Sequence, residues 1–185
     1  MAANDNACTD HRDSLLAEDA ENGTGGETFL ESLPFASQFA IWAARSWVTA
    51  LKLDQPFDVV SGGTFRRLDL MPAQIALDAF FRVVASSATQ LIDIRCMKCR
   101  YVSADEMIFH QALSIAQRGD SFAACQVLRN WLPPAAARLA LSSLATLANQ
   151  LAGADLRLAP REAPKPATDK RDLLNDRAMP SLALH

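Results

Sequence analysis

The sequence predicts an all-α fold: a bundle of about five helices over residues 33–156, including one αα-hairpin. Three observations predict it. The chain has 7 Gly and one Tyr against abundant Ala and Leu, a composition that favours helices. Apolar residues recur at i, i+3 and i+4 through several long windows. Between those windows stand Pro, Gly, Ser and Asp, the residues that start and stop helices. Half of the chain is apolar, enough to bury a sizeable core in one domain with tails.

Residues 1–32 carry eight acidic residues and one Arg. Asn22-Gly23-Thr24-Gly25-Gly26 is polar and flexible, and Leu15-Leu16 is the main apolar interruption. So little apolar surface does not offset the entropy of ordering, so the segment is expected to be a flexible acidic leader, with room for a short helix around 12–20.

The first helix is expected from Pro34 to Lys52, with Pro in the opening turn where its missing donor costs nothing. Ile41, Ala44, Trp47, Val48 and Leu51 share one broad side, while Gln38, Arg45, Thr49 and Lys52 define the other. Trp42 falls inside the polar arc. It is either a second packing surface within the domain or an exposed aromatic that docks a partner, Trp being enriched at binding hot spots. On the second reading Phe39 and Trp42 are the anchors and Arg45 is the rim.

Asp54-Gln55-Pro56 ends that helix, and Ser61-Gly62-Gly63 is a turn or hinge. The second helix is expected from Met71-Pro72 to Thr89. Leu77, Phe80, Val84, Ala88 and Leu91 form its apolar stripe, and Asp78 with Arg82 forms an i, i+4 ion pair on a solvated face. Leu91-Ile92-Asp93-Ile94-Arg95 alternates apolar and polar, which leaves room for one short two-stranded piece joining Phe57–Val60 and Leu91–Arg95.

Ser103-Ala104-Asp105-Glu106 reads as a capping box that opens a third helix running to Arg118. Gly119 is its left-handed terminator. Asp120 or Ser121 caps a fourth helix, stopped by Pro133-Pro134 after Leu132. A fifth runs from Pro134 to Gly153, with Leu139, Leu141, Leu144, Leu147, Ala148 and Leu151 on its apolar side. Residues 157–185, rich in Pro and mixed charge, read as a linker and flexible tail, with a transient amphipathic turn over 169–179.

Ala112-Leu113 through Gly119-Asp120 to Ala124 and Leu128 loosely resembles a single tetratricopeptide-type hairpin. No second copy follows at a period of about 34 residues, so the match implies a tight αα-hairpin and not a solenoid.

The cysteines carry the main chemical candidates. Cys96 and Cys99 can curl round one metal ion, and tetrahedral zinc needs two further ligands. His110 and Cys125, on the two helices of the hairpin, complete the candidate set, although they stand towards opposite ends of it. The same pair is a redox candidate, because Arg95, Lys98 and Arg100 favour thiolate. A thioredoxin-like site, however, places its first Cys at a helix N-terminus within a βαβ setting, and that pattern is missing. The expectation is two unlinked cysteines in a basic loop, with Cys125 as a small core residue. His110 is expected to be a satisfied or surface histidine.

No P-loop, GxSxG, GxGxxG or HExxH motif occurs. Net charge is −3, and the leader holds most of the acid. The centre and tail are each only slightly basic, which gives nucleic acid little to hold. The second hairpin helix offers Gln126, Arg129 and Asn130, a thin set for helix-turn-helix DNA binding. The most apolar stretch, 33–51, is interrupted by Arg45, so an integral membrane span is not expected. Membrane-surface association through the first helix would rest on Arg45 and Lys52 alone. The acidic N-terminus does not fit a secretory signal, which points to a reducing, cytoplasmic setting; the Ala- and Leu-rich composition leans towards a bacterial source.

The function expected from these residues is a non-enzymatic protein–protein interaction module, an adaptor or regulator without a cofactor, whose partner is another protein or a second copy. The alternatives are a zinc-stabilised or thiol-sensing module centred on Cys96 and Cys99, and a DNA binder.

Overall fold

In the structure, a computed structural model that describes residues 28–159, helix α1 (Phe35–Leu53) follows Pro34, which takes the capping position in extended conformation. Asp54 ends the helix in the left-handed region at φ 50° and returns its N–H to Ala50 and Leu51. The leader up to residue 27, the segment after residue 159, and with them His11, His185 and the turns expected over 12–20 and 169–179, lie outside the described residues.

The stretch after α1 folds as two single turns, α2 (Phe57–Val60) and α3 (Thr64–Arg67), joined through Gly62 and Gly63 at φ 59° and 67°. Both glycines occupy the backbone region that a Cβ disfavours. Helix α4 (Met71–Ser87) opens with Pro72 in its first turn and ends at extended Ala88. An irregular crossing over residues 88–100 then leads to strand β2 (Tyr101–Val102), paired antiparallel with β1 (Thr28–Phe29). Helix α5 (Ala104–Gln117), the left-handed Gly119 at φ 81°, and helix α6 (Ser121–Leu128) form the expected hairpin. Helix α7 (Pro134–Gly153) closes the bundle.

Among the described residues the fold is therefore all-α with one minimal sheet, but the sheet is not the expected one. Phe57–Val60 is a helical turn, and residues 91–95 form no strand. The alternation in 91–95 has a different cause. Ile94 is buried and Leu91 is almost fully exposed. The N–H groups of Asp93 and Arg95 donate to the carboxylates of Asp105 and Glu106, at 2.8 and 3.0 Å, where a strand neighbour would otherwise accept them. The pairing instead joins Thr28 to Val102 and Phe29 to Tyr101, which draws in residues 28–32 from the expected leader.

Helix α4 lies along α7, while α5 packs on both α6 and α7, and α1 on α5. The rings of Phe80, Phe81 and Phe109 meet at 5.1–5.6 Å in the centre, and Trp47 stacks on Phe81. Leu144, Leu147 and Leu151 fill the α7 side. The Asp78–Arg82 pair forms at 2.8 Å, and Asp78 also accepts from the Trp47 indole, so this carboxylate ties α1 to α4. Beyond α7 the chain turns back. Gln117 donates to the Leu156 carbonyl and accepts from the Leu158 N–H, and Leu158 is buried. Among the described residues no helix is long and apolar enough to cross a membrane.

The capping box at the start of α5 is complete. Ser103 Oγ accepts from the Glu106 N–H, and Glu106 accepts from the Ser103 N–H, both at 3.0 Å. Ser103 Oγ also donates to the Asp93 carbonyl. Ser103→Ala removes both links and is expected to lower the unfolding free energy by about 1–2 kcal/mol in urea denaturation; a loss within error would show that water replaces the cap.

Candidate functional site

Arg45 belongs by sequence to the polar arc of α1, yet the fold buries it. It is 1 % exposed, and α5 places Glu106 against it at 0 % exposure. The guanidinium fork meets the carboxylate in two bonds, Nε to Oε1 at 2.7 Å and Nη2 to Oε2 at 2.9 Å. Such a bidentate pair fixes both orientation and distance. Arg45 is thus not the rim of an exposed surface. Its remaining donors face the chain just before α5: Nη1 donates to the Cys99 carbonyl at 2.5 Å and Nη2 to the Tyr101 carbonyl at 2.7 Å. Glu106 in turn accepts from the Arg95 and Ser103 N–H groups. One buried ion pair therefore satisfies four backbone groups of segment 95–103, which explains why two charges are tolerated there.

Between two of those attachment points lies the Cys96–Cys99 turn. The two cysteines are joined as a disulfide with their Cα atoms 5.4 Å apart, where two unlinked thiols were expected. The Cys99 N–H closes the turn on the Cys96 carbonyl at 3.1 Å. Met97 lies over α1, its Sδ 3.5 Å from Ser46 Oγ. Both cysteines are partly exposed and Lys98 is exposed. On the outer side Arg100 pairs with Glu31 at 2.8 Å and sits 6.0 Å from the Phe29 ring centre. The hydrogen bond to Glu31, and then its charge, hold the Arg100 guanidinium above its ordinary pKa.

The four metal candidates are not brought to one point. His110 is buried on α5, its Nε2 2.8 Å from Ser37 Oγ of α1, where it links the two helices. Cys125 stands half-buried on α6 with a free thiol and packs against the core. Among the described residues no three His, Cys, Asp or Glu side chains group as a metal set. The reason is the hairpin geometry: His110 faces α1, while Cys125 lies on the helix beyond the Gly119 turn.

Of the aromatic candidates, Phe39 is buried at 7 % exposure and Trp42 is half-buried. Phe65 of α3 covers one face of Trp42 at 6.1 Å and meets Phe39 at 5.6 Å. Trp42 is therefore largely a second packing surface, and the segment that covers it is the one whose helical turns the sequence did not announce. The exposed member of the row is Phe35, at 69 %, one turn before Phe39 and 6.5 Å from its ring. The i, i+4, i+7 spacing of Phe35, Phe39 and Trp42 was the available signal for it.

A shallow cleft of about 360 Å³ opens between α2 and α4, lined by Phe57, Met71, Gln74, Asp78 and Arg82 among others. Gln74 is buried there, and its Oε1 has no hydrogen-bond partner among the described residues. Hydrogen bonding to Asp78, followed by its charge, raises the Arg82 pKa. Comparison of the chain with protein-family models, curated proteins and solved structures returns no match.

Proposed function

We propose that this chain is a helical protein–protein interaction module that docks through the N-terminal end of α1. The observation that carries the reading is the aromatic row running out of the core. Phe65, Trp42 and Phe39 are packed against one another, and Phe35 continues the row into solvent. A rigid aromatic seated on packed neighbours offers contact area at low entropic cost, the character of a hot-spot residue. The packed neighbours hold the row in place, so buried Phe39 and half-buried Trp42 support the surface and Phe35 presents it. The partner is another protein or a second copy of this chain.

The test uses the full chain with a photo-crosslinking residue at position 35, and a control at Phe122 of α6, which is at least as exposed. Adducts are expected from position 35 and not from 122. Phe35→Ser is expected to weaken the same association by about tenfold or more, as loss of a hot spot does, with the thermal midpoint unchanged. If position 35 gives no adduct beyond the control, and light scattering finds the same mass for the wild type and Phe35→Ser, the docking surface is wrong.

A further inference from the structure

We infer that Cys96–Cys99 is a reversible thiol–disulfide exchange site whose state is transmitted to the buried Arg45–Glu106 pair; this goes beyond the docking role and does not depend on it. The inference rests on where the disulfide sits. The residue before it, Arg95, is tied by its N–H to Glu106 Oε1. The residue that ends it, Cys99, is tied by its carbonyl to Arg45 Nη1. The covalent bridge thus spans two of the four points at which the loop grips the ion pair, one on each half of it. Removing the bridge returns freedom to the turn, and the first bonds to feel it are those to Arg45 and Glu106. The core below is less involved: among the described residues the side-chain hydrogen bonds of Arg45 and Glu106 run to each other and to segment 95–103.

The chemistry favours exchange. Both sulfurs belong to partly exposed residues, which gives an incoming thiolate access. Lys98 inside the turn places positive charge beside the sulfurs, while Arg95 and Arg100 are paired with Asp93 and Glu31; the Lys98 charge stabilises a departing thiolate. The co-reactant is a dithiol reductant. Its thiolate attacks one of the two sulfurs, the Cys96–Cys99 bond breaks, and the other sulfur leaves as a thiolate and takes up a proton. The reductant's second thiol then attacks the mixed disulfide and releases the remaining cysteine. Two electrons and two protons pass to the protein, and the reductant is left as its own disulfide. Reoxidation is the same exchange run backwards from an oxidised dithiol.

The experiment equilibrates the full chain in buffers of reduced and oxidised dithiothreitol, then reads two quantities. Alkylation mapped by peptide mass spectrometry counts thiols at Cys96 and Cys99 separately from Cys8 and Cys125. Hydrogen exchange follows the Arg95, Cys99 and Ser103 amides. The pair is expected to pass together from blocked to fully alkylated, and the three amides to exchange about tenfold faster in the reduced form while core amides such as Leu113 stay unchanged. The Cys96→Ser, Cys99→Ser double variant is expected to match the reduced protein and to ignore the buffer. Four outcomes overturn the inference: thiols present without reductant, a disulfide that excess dithiothreitol does not open, zinc bound to the pair in its place, or loop amides that do not respond when the pair is reduced. The wild-type titration stands by itself if the double variant does not fold.

Discussion

Glu106→Ala lowers the unfolding free energy by about 3–5 kcal/mol, because it strands the Arg45 charge at a position only 1 % exposed. The side chain it removes accepts four bonds, from Arg45 Nε and Nη2 and from the N–H groups of Arg95 and Ser103. Glu106→Gln keeps the shape but turns an NH₂ group towards donors that need an acceptor, and is expected to cost a large part of the same amount. Arg45→Lys fails for a matching reason, since one ammonium cannot replace a planar fork that reaches a carboxylate and two carbonyls at once. A buried ion pair can often be exchanged for apolar residues at little cost. Here Arg45→Met with Glu106→Leu remains destabilising, because the Arg95 and Ser103 donors and the Cys99 and Tyr101 carbonyls lose their partners, at about 1–3 kcal/mol for each that stays dry. Denaturant unfolding of the three single variants and the double variant measures all of this. Single losses under about 1 kcal/mol would mean that the pair behaves as a solvated surface contact.

Trp131→Ala is expected to cost about 3–5 kcal/mol, the range for deleting a large core aromatic. Trp131 is 0 % exposed, and its indole N–H donates to Asp105 Oδ1 at 2.8 Å. The other oxygen of Asp105 accepts from the Asp93 N–H, and the Trp131 carbonyl accepts from both the N–H and the hydroxyl of Thr89. The residue thus fills the core below the α6–α7 connection and fastens the first half of the crossing, at Thr89 and, through Asp105, at Asp93. Trp131→Phe separates the two roles. It keeps most of the volume and loses only the indole donor, so it is expected to cost about 1–3 kcal/mol and to speed hydrogen exchange at Asp93. Equal losses for Ala and Phe would place the whole effect in the hydrogen bond, and an unaltered Asp93 amide would remove its role in fastening the crossing.

The helices themselves were legible because each depends on residues within a few positions of one another. The Ser103-x-x-Glu106 box marks the start of α5, Gly119 its end, and Pro133-Pro134 the gap before α7. The segment 54–69 was less so, since Asp58, Ser61 and two glycines carry turn signals that suit a coil as well as two short helical turns. The two-stranded piece was expected in the wrong place because alternation in five residues does not say whether the alternate N–H groups will meet a strand or a carboxylate.

By itself the sequence determined an all-α chain, the boundaries of its five longer helices to within a residue or two except the end of α6, which stops at Leu128 and not at the expected Leu132, and the presence of a dithiol motif among basic residues. It also set the capping role of Glu106, since a cap is a contact across three positions. Only the tertiary structure decided that the same carboxylate would neutralise Arg45 from 61 positions away, that His110 would turn to Ser37 of α1, and that Phe65 would close over Trp42 while Phe35 stayed open. Periodicity assigns a side chain to a face, and α1 has more apolar circumference than one face. Which part of it meets another helix, and so whether an arginine in its polar arc is solvated or sealed, depends on how the other elements pack around it.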